Sequence, residues 1–328
     1  MDQLVTTRPV TSLNLLKFNL VSPSVVPVSE YDKDALAKFR RAGTILRETR
    51  EEMRSYVHEG MPIIEVCEKA ENLIRKKGAK PAFPCNVSIN EVAAHYTSPP
   101  GDTKNIPKKS VVKVDIGAHI DGYVTDTAVT VCFDPEYDSL TKAAEAALKK
   151  AVESIGPGMS TSKLGTIIES TIKSHGYKPI SNLTGHQVGR YLVHAGTSLP
   201  NVPQLFSSKI KLGGVYAIEP FATIQNAVGK VEDGEENTIF RLVRSRSQKD
   251  SYAKQLLKYI EENFRTLPFA ERWLQGIVPE QNYRVAFREL LSSKAIMAYY
   301  VFVEASRKPV AQAEHTVLIE NDGCTVLT

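Results

Sequence analysis

The stretch VKVDIGAHIDGYVTDTAVTV, residues 112–131, constrains the fold of this 328-residue chain more than any other. Alternating β-branched runs flank the turn signal His119-Ile120-Asp121-Gly122, the pattern of a β-hairpin. If the hairpin is symmetric about Ile120 and Asp121, Asp115 lies directly opposite Asp126. Directly opposed residues hold their Cβ atoms roughly 4.5–5.5 Å apart, and like charges so placed are destabilising. Both acids also sit in core-like sequence, where an unpaired carboxylate is costly. Two metal ions about 3.5–4 Å apart, bridged by carboxylates, would relieve both problems. The alternative is a pair of ordinary turn-proximal aspartates, or a one-residue bulge that breaks the register. The hairpin alone leaves both readings open.

The remainder reads as a folded globular chain. Apolar content of 42% and charged content of 24% are ordinary for a soluble protein. The length allows one large domain or two, with a sizeable core. A formal charge of +4 is too small here to imply DNA or RNA as a partner. The basic run FRLVRSRSQK, residues 240–249, reads first as a solvated loop. Cys67, Cys85, Cys132 and Cys324 form no CxxC pair. That argues against a cysteine zinc site and fits free thiols in a reducing compartment, so a cytoplasmic location is expected. No run reaches the roughly 18–20 apolar residues of a membrane span, and no membrane partner is expected. Residues 1–29 read as an N-terminal arm or extension without the features of a signal peptide.

Helical spacing of apolar residues runs from Asp34 to Val57 and again through GMPIIEVCEKAENLIRKKG, residues 60–78. Two further helices are expected at about 141–155 and 160–175, each ended by Gly. Between about 245 and 295, YAKQLLKYIEENF, PFAERWLQGI and YRVAFRELLSS read as three short amphipathic helices with no strand between them. They form a compact helical insertion in an α+β host. The chain ends in two apolar runs around Asn321-Asp322-Gly323, a second hairpin signal.

NLTGHQVGRYLVHAG, residues 182–196, carries His186 and His194. On an extended strand they would lie about 26 Å apart, at roughly 3.3 Å per residue. One ion cannot be held by both unless the chain turns back at Gly189. The economical reading is two histidines in one cleft with different roles. Glu219 follows the apolar run VYAI, and Glu314 opens the final hairpin; each alone reads first as a surface strand residue. Asp115, Asp126, His186, Glu219 and Glu314 together form an oxygen-rich set with one imidazole. Such a set suits two divalent ions such as Mn, Fe, Co or Zn, and not copper or an iron–sulfur cluster.

Five motifs, FPCNVSINEVAAHYTS, VKVDIGAHIDGYVTDTAVTV, NLTGHQVGRYLVHAG, YAIEPFAT and AQAEHTVLI, occur in an order and spacing that resemble type 2 methionine aminopeptidases. The likeness runs from about residue 30 to the end and includes the helical insertion. The stretch RSQKDSYAKQLLKYIEENFRTLPFAERWL resembles archaeal members most. The resemblance implies an α/β pita-bread fold over residues 30–328, two pseudo-symmetric halves around a dinuclear metal centre. It implies Asp115, Asp126, His186, Glu219 and Glu314 as ligands of two divalent ions (Co, Mn, Fe or Zn). His95 and His194 match the histidines that contact substrate and transition state, Glu219 also handles the proton, and Phe83 matches a wall of the methionine pocket. The implied activity removes the initiator methionine from nascent chains and peptides whose second residue is small, using water activated between the two ions. A monomer is implied, and Arg241–Lys249 is a candidate ribosome contact.

Some positions depart from the family pattern. Pro100 stands where a small or polar residue is expected, residue 313 is Ala, and no pocket histidine matches near Ile239. Either Tyr299 or Tyr300 could supply a pocket tyrosine. The rival readings are a proline-specific aminopeptidase of the same fold and a binding relative without catalysis.

Overall fold

The structure is a computed structural model that describes residues 31–328; the expected arm at 1–29 lies outside them. Its centre is an eight-stranded sheet with every neighbouring pair antiparallel. The strand order is Lys80–Ile89, Val111–Ile120, Tyr123–Cys132, Glu314–Glu320, Val215–Ile218, Thr184–Gln187 and Ser198–Pro200, with Gly323–Val326 added on Glu314–Glu320.

Two helix pairs cover this sheet. Helices α1 (Lys33–Tyr56) and α2 (Ile63–Lys76) pack on its first half, and α3 (Asp138–Ser154) and α4 (Thr161–Ser174) on its second. Local sequence sets their ends. Asp32 caps α1 by accepting from Ala35 N at 2.8 Å, and Ser160 caps α4 by accepting from Lys163 N at 3.1 Å. Pro62 stands at the N-cap of α2, and Gly78 follows its end at φ 91°. Ile45, Leu46 and Met53 of α1, with Val66, Ala70 and Ile74 of α2, are buried against Val112, Val114 and Ile116. Leu140, Ala147, Leu164 and Ile168 of α3 and α4 are buried with Tyr216, Ile218 and Val317. Each fully buried Val, Leu or Ile contributes about 1.5–3 kcal/mol. The two halves therefore have separate cores joined through one sheet, which is the α/β pita-bread arrangement.

The 112–131 hairpin forms, but in a different register from the one expected. Its loop is Asp121-Gly122, since Ile120 pairs with Tyr123. Both loop residues have positive φ, 51° and 91°, the type I′ geometry that Asp-Gly favours. Asp115 consequently faces Ala128, and Asp126 faces Gly117. The two acids are diagonal rather than directly opposed. They still share a face, because the correction moves the pairing by an even number of residues.

The segment around 245–295 also departs in one respect. Helices α5 (Ser251–Asn263) and α6 (Glu280–Ser292) are present. Between them, PFAERWLQGI forms the short strand Phe269–Ala270 and a 3₁₀ turn, Glu271–Leu274, instead of a helix. Phe269 and Ala270 pair with Phe240 and Ile239, and Ile296–Tyr299 pairs on the other side of Ile239–Leu242. Pro268 and the β-favouring Phe269 open a segment too short for a stable helix. Phe240, Leu256, Ile260, Phe269, Phe287 and Leu290 form a third apolar cluster here. The C-terminal hairpin forms as expected, with Glu320 paired to Gly323. Among the described residues, no helix is long and apolar enough to cross a membrane. All four cysteines are free.

Candidate metal centre and active-site cleft

The sheet brings the five ligand-type residues to one place. Asp115 and Asp126 come from the first hairpin, His186 from Thr184–Gln187, Glu219 from the residue after Val215–Ile218, and Glu314 from the start of Glu314–Glu320. The register aligns them: His186 pairs with Ala217, His315 with Ile218, and Glu314 with Ala128. Ligand atoms of Asp126, His186 and Glu314 all lie within 4.8 Å of one another. His186 Nε2 is 3.4 Å from Glu219 Oε1 and 3.6 Å from Asp126 Oδ2. The Gln312 amide ties in the rest, its Nε2 lying 3.3 Å from Glu314 Oε2 and 3.5 Å from both Asp115 Oδ2 and Glu219 Oε2.

Four carboxylates this close, away from water, disfavour their own ionisation. Burial pushes Asp115 up to about 7, against hydrogen bonds from Gln312 and Asp126 that oppose it. Burial and then neighbouring carboxylates hold Asp126, Glu219 and Glu314 well above the usual carboxylate range. Burial holds His186 well below its ordinary value, so the ring is neutral and keeps a lone pair to donate. Asp115 Oδ1, Asp126 Oδ1 and Glu314 Oε1 are buried without a hydrogen-bond partner. Each such orphan costs on the order of 1–3 kcal/mol or more. Carboxylate oxygens in excess, one neutral imidazole and unmet acceptors fit divalent cations of the Mn, Fe, Co or Zn class.

His194 reaches the same cleft because the chain does turn back at Gly189. Gly189 N donates to Leu192 O at 2.9 Å, and Tyr191 takes φ 55°. The rings of His186 and His194 thus stand 4.3 Å apart, centroid to centroid. Residues 186–194 are therefore not one extended strand. What separates the two is that His186 lies among the clustered ligand atoms, whereas His194 is exposed. His95 lies on the cleft wall at φ 67°, its ring 4.6 Å from that of Phe302 and 5.6 Å from that of Tyr299. Burial, then the neighbouring His194, pushes its pKa down to about 4, so it is neutral near pH 7.

The cleft has a volume of about 210 Å³. That is below the roughly 300–1,000 Å³ of drug-sized sites and suits one or two residues of a chain end. Phe83, Ile239, Tyr299 and Phe302 form much of its apolar wall. Tyr300 is 50% exposed, which leaves Tyr299 as the cleft tyrosine. Gly117, paired with both Phe83 and Asp126, makes room for the Phe83 ring, which a β-carbon there would overlap. Sequence reasoning missed Gln312 and also Asn86, which pairs with Asp115 and lines the cleft. Each carried a signal: an amide two residues before Glu314 at the end of the preceding strand, and an Asn inside an apolar strand.

Comparison with known proteins adds to this geometry. The chain is 43% identical to a methionine aminopeptidase from Methanothermobacter thermautotrophicus over 296 residues, 89% of this chain and 98% of that protein. Among solved structures it resembles a thermophilic Arx1, with TM-score 0.76 at 19% identity and 91% of each chain covered. It also resembles the methionine aminopeptidase of Thermotoga maritima, with TM-score 0.66 at 22% identity, covering 91% of this chain and 98% of that one. At those identities the structural likeness establishes the fold alone. A model of metallopeptidase family M24 matches residues 37–320, a span that holds both helix pairs almost whole and every residue of the carboxylate cluster. The chain therefore belongs to metallopeptidase family M24.

Proposed function

We propose that this protein is a methionyl aminopeptidase that removes the initiator methionine from peptides and nascent chains whose second residue is small. The observation that carries the reading is a cluster of four carboxylates and a neutral histidine, joined by the Gln312 amide and set beside His95, His194 and an apolar wall, in a chain 43% identical to a methionine aminopeptidase along nearly its whole length. Asp115, Asp126, His186, Glu219 and Glu314 would hold two divalent ions of the Co, Mn, Fe or Zn class. Ions there supply acidified water and a polarised carbonyl.

The chain's own residues do the rest. Phe83, Ile239, Tyr299 and Phe302 take up the methionine side chain by burying its apolar surface. The carboxylate-rich end favours a free α-amino group over an acylated one, so cleavage is confined to the first peptide bond. Glu219 accepts the proton of the attacking water and delivers it to the leaving amine. His194 donates a hydrogen bond to the oxygen that gains charge as the carbonyl becomes tetrahedral. His95 holds the leaving nitrogen in line for that proton. Residues 30–328 act as one catalytic unit carrying the 245–295 insertion, as a monomer in the cytoplasm. The exposure of Arg244 and Lys249 supports reading the Arg241–Lys249 segment as a ribosome contact. Reversing Arg244, Arg246 and Lys249 weakens ribosome co-sedimentation on this reading, and unchanged co-sedimentation sinks it.

The deciding assay measures methionine released from Met-Ala-Ser by metal-stripped protein before and after adding Co²⁺, Mn²⁺ or Fe²⁺. Restored cleavage of Met-Ala-Ser, with Met-Lys-Ser and Ala-Pro-Ser left intact, is the expected result. Cleavage of Ala-Pro-Ser instead would assign a proline-specific peptidase. No cleavage by folded protein with any of these metals would leave a binding protein.

A further inference from the structure

A buried polar network joins the insertion to the strand end that carries His95. Arg272, in the 3₁₀ turn, is only 9% exposed. Its Nη1 donates to Thr97 Oγ1 and to Ser98 O, each at 2.9 Å, and its Nη2 pairs with Glu71 of α2. Glu71 also accepts from Trp273 Nε1 at 2.7 Å and from Cys85 N at 3.1 Å. Thr97 donates its hydroxyl to Cys85 O at 2.7 Å and its N–H to Thr238 Oγ1 at 3.1 Å. The Thr238 hydroxyl in turn donates to His95 O at 3.3 Å. His95 itself holds the left-handed φ of 67°, which strains a residue with a β-carbon and persists only where its surroundings impose it.

We propose that Arg272 is a positioning residue for His95, so that the insertion sets the geometry of a catalytic histidine it does not itself contain. The role of His95 rests on the aminopeptidase reading. Stability alone does not explain the pair, because a buried Arg–Glu pair adds little over packed apolar residues of the same volume. A planar guanidinium does what those cannot: it bonds Thr97, Ser98 and Glu71 at fixed angles and so fixes the residues two and three positions after His95. Clamped by Arg272 on one side and Thr238 on the other, residues 95–98 keep the imidazole against Phe302 and Tyr299.

The test uses three changes: the charge-neutral double variant Glu71→Gln/Arg272→Met, the single variant Thr97→Val, and Arg272→Lys. Each is assayed on Met-Ala-Ser in the parent and in a His95→Ala background, with melting temperature alongside. The double variant is expected to keep its melting temperature within a few degrees and to lose roughly 10–100-fold in kcat with KM little changed, the scale of a misplaced catalytic group. Thr97→Val falls less but in the same direction, and Arg272→Lys does not rescue, because an ammonium cannot span three partners. In the His95→Ala background these changes produce no further loss. Full activity in a folded double variant and in Thr97→Val, or an equal loss without His95, overturns the proposal. If the double variant does not fold, Thr97→Val carries the same cycle. An inactive parent protein would instead sink the aminopeptidase reading. The His95 imidazole NMR resonances then decide: a shift in Thr97→Val supports the positioning role, and unchanged resonances overturn it.

Discussion

Gly117 shows how one residue can couple the sheet to specificity. It stands in the ladder between Phe83 and Asp126, and the atoms an added methyl would meet first all belong to the Phe83 ring. Gly117→Ala is therefore expected to fold, at a cost of about 1–3 kcal/mol of overpacking, while the ring swings away from its place on the cleft wall. Steady-state kinetics on Met-Ala-Ser should show roughly tenfold loss of kcat/KM, mostly through KM, the mark of lost binding common to ground and transition states. An unchanged KM would show that Phe83 is not part of the methionine pocket. His119 makes a different kind of prediction. It is buried, its Nδ1 accepts from Gly122 N at 3.0 Å, and burial, then Lys80, pushes its pKa down to about 4. The unfolded chain binds that proton near pH 6.5. Between those values the unfolded state holds more protons, so stability from this group is whole above about pH 6.5 and is lost as pH falls to 4, by up to about 3 kcal/mol. Urea denaturation should show the stability gap between parent and His119→Gln shrinking over that window; a gap independent of pH refutes it. At this scale Asp115 and Asp126 stood out because buried strands rarely tolerate acids, whereas Glu219 and Glu314 each read as surface strand residues until the family resemblance grouped them. Gln312 did not stand out: an uncharged amide raises no such conflict until the carboxylates around it are in place.

Elements test how far local pattern determines geometry. Helix α1 carries Gly43, and Gly→Ala in a helix interior normally stabilises by about 0.5–1 kcal/mol. Here the β-carbon would lie 2.5 Å from Leu327 O, a backbone atom of the chain end packed on the helix. The sign should reverse, with Gly43→Ala losing on the order of 2 kcal/mol in equilibrium urea denaturation; a stabilised variant would mean that residues 326–328 do not pack there. The same dependence on contact explains which elements were legible. The four sheet-covering helices were, because their apolar spacing and end signals agree. The hairpin was legible as a hairpin but not in register. A loop centred on Ile120-Asp121 would need positive φ at a β-branched residue, whereas Asp121-Gly122 meets the type I′ requirement at both positions. Phe269–Ala270 is a strand only because Ile239–Phe240 offers an edge to pair with, which no window of local sequence contains.

The whole molecule places the carboxylate cluster between its halves. Asp115 and Asp126 come from the half covered by α1 and α2; His186, Glu219 and Glu314 come from the half that packs on α3 and α4. Ions held by all five would therefore tie the halves together and would bind only the folded chain. At a free concentration one hundred times the dissociation constant, that linkage adds about 2.7 kcal/mol. For a chain of this size it should raise the melting temperature by roughly 4 °C. The pH dependence follows from the carboxylates. Without ions, burial pushes Asp115 up to about 7, and Asp126, Glu219 and Glu314 are also held above the usual carboxylate range. The folded state then binds more protons than the unfolded one from about pH 4 upward, so this cluster loses stability as pH rises through 7. Ions remove that penalty and must displace the protons to do so, which weakens their hold at lower pH. The melting shift on adding Mn²⁺ should accordingly be larger at pH 8 than at pH 6 and should vanish in Asp126→Asn/Glu314→Gln. An equal shift at both pH values, or one that survives the double substitution, would mean that the ion stabilises the chain from somewhere other than the seam between its halves.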